Sequence, residues 1–189
     1  PFIKPMLIWM NVMTHPNGNI PCFNDSANNV TTSPELLMSF ADRLGFQIDV
    51  AGKSDDLDYN YLKDSGYLAI YSDSLQMILD IGRLGPDKLL AHAHADTLSF
   101  ELAEGDECIF VNSGTSTYEP IPQRIFERST CAHNTLEIEG VSSSQVWSSF
   151  RVAKRAVPFN IEVQKNKNSI LVQASHDGYK TLRGSPIHS

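Results

Sequence analysis

The segment His92-Ala93-His94-Ala95-Asp96 sets two imidazoles and a carboxylate at alternate positions. In an extended chain, successive side chains point to opposite faces. His92, His94 and Asp96 then share one face, and Ala91, Ala93 and Ala95 the other. The two imidazoles would stand about 7 Å apart along that face. Placing them with a carboxylate beside small apolar residues is costly unless a metal, an anion or a hydrogen-bond network satisfies them. Polar, cationic and imidazole groups recur downstream after short apolar runs: Asn112-Ser113-Gly114, Tyr118, Arg124, Arg128 and His133-Asn134-Thr135. A lone His-x-His pair is also compatible with two surface histidines. The recurrence is what points to several elements delivering their side chains to one place.

Those elements fall into two textures. Residues 5–14 read as a buried helix, apolar nearly all round with Pro5 in its first turn. His15-Pro16-Asn17-Gly18 ends it with turn chemistry, and residues 19–32 read as an ordered loop. Ser33-Pro34-Glu35 opens a second helix with a capping hydroxyl, a proline at its first position and an acid in its first turn. Leu36, Leu37, Phe40, Ala41 and Leu44 form its apolar face, and Gly45 closes it. Residues 51–66, with Asp55, Asp56 and Asp58, read as a solvated acidic linker. From there short strands alternate with turns: 67–72, 76–81, 96–103, 107–112, 134–139, 148–157, 159–165 and 169–175, with hairpin connections at 103–106 and 164–168. A short helix is expected over 121–128. Strands without long intervening helices imply an antiparallel sandwich. The fold class is therefore α+β, a helical piece over 1–60 preceding a β-sandwich over 61–189.

Composition narrows the function classes. A chain of 189 residues with 41% hydrophobic and 20% charged residues can build a proper core. Its formal net charge of -7 provides no global attraction for nucleic acid, so an anionic ligand would need a local basic site. Three cysteines without CxxC spacing argue against a disulfide scaffold or a thiolate zinc site. Cys108, in the apolar run Cys108-Ile109-Phe110-Val111, is expected to be a buried free thiol. No apolar run is long enough to span a bilayer. The opening Pro1-Phe2-Ile3-Lys4-Pro5 resembles neither a signal peptide nor an initiation site, so the chain reads as a fragment of something longer.

Taken together, His92-Ala93-His94-Ala95-Asp96, Val111-Asn112-Ser113-Gly114, Tyr118-Glu119, Arg124, Arg128-Ser129-Thr130, Ala132-His133-Asn134-Thr135, Gln145 and Trp147-Ser148-Ser149-Phe150-Arg151 resemble the C-terminal region of heparinase II/III-like polysaccharide lyases. Pro16-Asn17-Gly18 and Pro21-Cys22-Phe23-Asn24-Asp25-Ser26 resemble the end of that family's helical toroid. The resemblance implies terminal helices of an (α/α) toroid packed on an antiparallel β-sandwich, and β-elimination on a uronic-acid-containing polysaccharide, of glycosaminoglycan or alginate type, in the cleft between them. It also implies a bacterial periplasmic or exported protein. The tyrosine acid/base comes from the toroid in this family, so the remainder of that domain is an expected partner and little activity is expected of this chain alone.

Elimination from a uronide requires the sugar carboxylate to be neutralised while a base removes the C5 proton and an acid protonates the departing O4. His92 resembles the family's sandwich histidine that reaches this carboxylate. His94 and His133 resemble two ligands of a zinc ion that some members carry. The third ligand would be an aspartate at the position of Asn112, and an amide oxygen is a weaker donor, so zinc and a metal-free hydrogen-bonded cluster both stay open. Asp96 either orients a histidine or caps a turn. Tyr118 is a candidate substrate contact. Arg124 and Arg128, four residues apart on the expected helix, share a face; they either bind substrate carboxylates or sulfates or anchor Glu119 and Glu127. Trp147 and Phe150 are expected in the core. Two other classes remain: a non-catalytic carbohydrate-binding or structural sandwich, and a metal-dependent hydrolase using His92, His94, His133 and Asp96.

Overall fold

The computed structural model describes residues 2–48 and 56–189. Helix α1 spans Ile3–Val12 and α2 spans Pro34–Arg43, joined by the ordered loop. In α2 the Ser33 side chain accepts a hydrogen bond from the Leu36 N–H at 3.3 Å, and Gly45 closes the helix in the left-handed region at φ +80°. The apolar faces point elsewhere than expected. Met6 and Trp9 of α1 are exposed, as are Leu36, Leu37 and Phe40 of α2 and Leu44 at its C-cap. Only the C-terminal end of α1 is buried: Val12, with Met13 and Phe23, packs on Ala69 and Ile78. Apolar periodicity identifies a face that needs covering without saying what covers it.

Five strands form one antiparallel sheet in simple meander order: β1 Asp58–Leu62, β2 Tyr67–Ser72, β3 Leu75–Asp80, β4 Phe100–Glu104 and β5 Glu107–Phe110. β1 occupies much of the stretch read as a linker; of the acidic residues there, Asp58 pairs with Lys165 at 2.8 Å, while 51–55 lie outside the described residues. Helix α3 (Pro122–Arg128) and a 3-10 turn (Thr130–Ala132) follow. The minimal ladder β6 Val146–Trp147 with β7 Arg151–Val152 comes next, then the hairpin β8 Pro158–Lys165 with β9 Ile170–His176.

Three strand expectations require correction. Residues 134–139 form no strand; Ile138 makes one isolated bridge to Val141, and Glu139 turns at φ +54°. Within 148–157 only Arg151–Val152 is strand, and Ser148 at φ +52° lies in the turn before it. The segment 90–99 is loop, with strand beginning only at Phe100. Turns Leu90–Ala93 and Asp96–Ser99 close on themselves, and Leu98 adopts φ +61°. Cys108 is only part-buried, and Ile109, Phe110 and Val111 are exposed. No described helix is long and apolar enough to cross a membrane.

A buried hydrogen-bonded cluster joins the N-terminal piece to the sheet. His15 Nδ1 faces Gln76 Oε1 at 3.0 Å and Nε2 faces Glu101 Oε2 at 2.9 Å. The other Glu101 oxygen accepts from the Cys22 and Asn112 N–H groups, each at 2.9 Å. A buried carboxyl group is costly unless its oxygens are hydrogen-bonded, and both Glu101 oxygens are. The cluster fixes where the 19–32 loop meets the strands, and hence where Asp25 lies.

Candidate active site

Asp25, on that loop, is the hub. Its Oδ2 receives His92 Nδ1 at 2.8 Å and its Oδ1 receives His94 Nε2 at 2.8 Å. Arg124 grips both oxygens, Nη1 on Oδ1 at 2.5 Å and Nη2 on Oδ2 at 2.9 Å, while Thr115 Oγ1 donates to Oδ1 at 3.1 Å. Burial alone would raise this carboxyl's pKa. The hydrogen bonds from His94, Arg124 and His92 outweigh it and hold the group well below the usual carboxylate range. Its neighbour Asn24 pins the histidine loop: Oδ1 accepts from the His94 N–H at 3.2 Å, and the Asn24 N–H donates to Asp96 Oδ2 at 2.9 Å. Asp96 thus anchors the loop, and no histidine hydrogen-bonds its side chain among the described residues.

The two histidines share Asp25 but not an environment. The His94 side chain is 0% exposed, whereas that of His92 is 60% exposed. With Nδ1 committed to Asp25, His92 directs Nε2 away from the hub. Two half-exposed rings flank it: Tyr118 at 6.1 Å and Phe150 at 5.9 Å between centroids, both edge-on. The same rings sit over the Arg124 guanidinium at 5.1 and 5.8 Å. Phe150 and Trp147 are thus outside the core, being 43% and 54% exposed. The result is an aromatic rim around one accessible imidazole, above a buried Arg124–Asp25 pair.

The arginines do share a helix, and both are fully buried. Arg124 also donates to the Ser149 carbonyl from Nε at 3.1 Å and Nη2 at 3.0 Å. Arg128 donates to the carbonyls of Ala93 and Ser148, both at 2.9 Å, and of Trp147 at 3.3 Å. Neither presents a free guanidinium face, and Glu119 and Glu127 are not their hydrogen-bond partners; Glu127 instead accepts from Ser116 and Gln123. Arg128 clamps the loop of His92 and His94 to the segment carrying Ser149 and Phe150.

The family model described as Heparinase II/III-like, C-terminal, matches residues 55–189. The chain belongs to this family. A heparin-sulfate lyase from Bacteroides stercoris is 26% identical to this heparinase II/III-like chain, covering 77% of it and 24% of the relative. Among solved structures, heparinase III superposes with a TM-score of 0.69 at 18% identity, covering 94% of this chain and 30% of that one. A heparan sulfate lyase from Pedobacter heparinus gives a TM-score of 0.68 at 17% identity, covering 94% and 28%. The heparinase II/III-like chain described here thus spans about a quarter to three tenths of the proteins it matches. The structural matches establish a mainly antiparallel sandwich fold of heparinase III type.

The zinc that the resemblance implies would be held by His94, His133 and the residue at position 112. His94 Nδ1 and His133 Nε2 face each other at 3.2 Å. His94 gives its Nε2–H to Asp25, and His133 gives its Nδ1–H to the Ser129 carbonyl at 2.8 Å. The two inner nitrogens therefore need one hydrogen or one cation between them. Burial lowers the His133 pKa, which suits it as the acceptor. The third position does not fit a metal. Asn112 Oδ1 accepts the Asn134 N–H at 2.9 Å, and its buried Nδ2, a donor, has no partner among the described residues. Nor do three or more His, Cys, Asp or Glu residues converge as a metal site among the described residues. Two imidazoles and an amide make a poor zinc set.

Of the residues expected at the site, His92, His94, His133, Tyr118 and Arg124 converge, Arg128 braces them, and Asn112 lies alongside Asn134. Asp25 and Phe150 were not anticipated. Asp25 stands in the motif Pro21-Cys22-Phe23-Asn24-Asp25-Ser26, but its role was not legible there because its partners lie 67–99 residues away in sequence.

Proposed function

We propose that this chain is the sandwich portion of a polysaccharide lyase that cleaves a uronic-acid-containing polysaccharide of glycosaminoglycan type, exported to where such chains are found. The observation that carries the reading is one accessible imidazole, His92, mounted on a buried carboxylate and rimmed by Tyr118 and Phe150. The Asp25 carboxylate holds the ring through Nδ1 and leaves Nε2 facing the rim, where it engages the sugar carboxylate as a donor when it bears a hydrogen. Such a group neutralises the sugar carboxylate as the C5–H bond breaks. The electron pair of that bond forms the C4=C5 double bond, and O4 departs with a proton. The base and the acid lie on a helical domain seated against the exposed faces of α1 and α2.

The full-length protein is expected to generate unsaturated uronide from an acidic polysaccharide, measured as the ultraviolet absorbance of the new double bond, and the isolated chain to generate almost none. Robust turnover by the isolated chain would overturn the division of labour. Hydrolysis without a double bond would overturn the reaction class. The metal-dependent hydrolase is disfavoured because Asp96 serves Asn24 and His92 Nδ1 serves Asp25, and His92, His94, His133 and Asp96 do not form a ligand set among the described residues.

We further propose that a hydrogen, not zinc, joins His94 to His133. Purified wild-type protein should hold zinc well below stoichiometry in elemental analysis, and Asn112→Asp should raise it toward about one ion per chain by restoring a carboxylate donor. A full equivalent of zinc in the wild type would refute this.

A further inference from the structure

A cavity of about 690 Å³ opens beside His92, within the range of roughly 300–1,000 Å³ usual for ligand sites. Two segments build most of it: the turn Lys63–Gly66 after β1, and the loop Ile81–Leu89 after β3. They are pressed together at two glycines. A Cβ on Gly66 would lie 2.1 Å from Gly82 Cα, and one on Gly82 would lie 2.7 Å from the Ser65 carbonyl. The Ile81 N–H donates to the Gly66 carbonyl at 2.9 Å, and Asp80 Oδ1 accepts the Gly82 N–H at 3.0 Å. No side chain fits between the segments, so the turn carrying Lys63 and the loop carrying Arg83 are held side by side.

Both cations line this cavity and both are exposed. Neither forms an ion pair among the described residues; Lys63 Nζ lies 5.9 Å from the centre of the Tyr61 ring. Of the two acids in the lining, Asp87 is balanced by Arg155 at 2.9 Å, leaving Asp64 against two cations. Tyr61 and Tyr67 also line the cavity, Tyr67 braced from behind by Phe23 at 5.3 Å between ring centroids. Elsewhere near the hub, Arg124 and Arg128 are enclosed and satisfied. Among the described lining residues, Lys63 and Arg83 are therefore the lysine and arginine side chains available to an anion.

We propose that this cavity is a saccharide subsite in which Lys63 and Arg83 hold an anionic group, carboxylate or sulfate, of a sugar neighbouring the one that His92 engages. The inference rests on the lyase reading for its substrate, and its test separates the two. In full-length protein, Lys63→Gln with Arg83→Gln should raise KM for the acidic polysaccharide about tenfold or more, the loss expected of charge-assisted hydrogen bonds, with kcat within about twofold because ground-state and transition-state binding fall together. Unchanged KM with turnover intact would overturn the subsite and leave the lyase reading standing. A second arm needs no turnover: titration calorimetry of the same variants with sulfated and non-sulfated uronide tetrasaccharides. Weakened binding of both oligosaccharides assigns the anion as a carboxylate. Weakened binding of the sulfated one alone assigns a sulfate. Equal affinity of wild type and variant for both would overturn the proposal, whatever reaction the protein catalyses.

Discussion

Asp25→Ala is expected to destabilise the fold by about 3–5 kcal/mol, the usual cost of leaving one partner of a buried ion pair without the other. The Arg124 guanidinium, 0% exposed, would keep the Ser149 carbonyl but lose both carboxylate contacts. His94 would lose its acceptor at Nε2, and with it the constraint that orders the His94–His133 pair. Urea unfolding monitored by circular dichroism would measure the loss. The pH dependence follows from the direction of the Asp25 shift. Its folded-state pKa is depressed, so the stability it contributes is fully present above the unfolded value of about 3.9 and disappears as pH falls toward the lower folded value. The gap between wild type and Asp25→Asn should therefore be constant near neutrality and narrow below about pH 4. A variant as stable as wild type at pH 7 would mean that Asp25 does not organise the site.

Legibility of the fold from sequence varied with the kind of signal. Capping at Ser33-Pro34, the glycine stop at Gly45 and the alternating strands β2, β3, β8 and β9 are local, and each forms within a residue or two of its expected place. The His92–Asp96 alternation misled because its periodicity comes from chemistry and not from a pleated surface. Arg128 and Asp80 hold that backbone instead, through Ala95 N–H to the Arg128 carbonyl and Leu98 N–H to the Asp80 carbonyl, both at 2.9 Å. β1 was hidden because Asp58-Tyr59-Asn60-Tyr61-Leu62 is half polar and abuts an acidic stretch. The direction of the α1 and α2 faces could not be read because periodicity carries no information about a neighbour.

For the site, histidines and arginines announce themselves by type, while their partners do not. Asp25 is one acid among the 22 acidic residues of the chain, and only the folded loop makes it the acceptor for three cationic or imidazole side chains. Likewise the Gly66–Gly82 contact joins residues sixteen positions apart by their lack of side chains, which no hydrophobic pattern records.

His92→Ala in the full-length protein should lower kcat for uronide elimination by about 10²–10³-fold, the cost typical of removing one preorganised group that stabilises developing charge. Stability should change by no more than about 0.5–1 kcal/mol, because the side chain is 60% exposed and Asp25, losing the His92 hydrogen bond, keeps those of Arg124 and His94. That separation distinguishes His92 from Asp25, whose loss acts on fold and turnover together. His92→Gln retains a neutral donor but not an imidazole on the carboxylate, and should fall between wild type and alanine. Product formation followed by ultraviolet absorbance, alongside thermal melts of each variant, gives both quantities. Intact turnover in His92→Ala would favour a non-catalytic, carbohydrate-binding role for this sandwich. The accessible Nε2 would then be a surface contact, and the Asp25 network a device for joining the helical piece to the sheet.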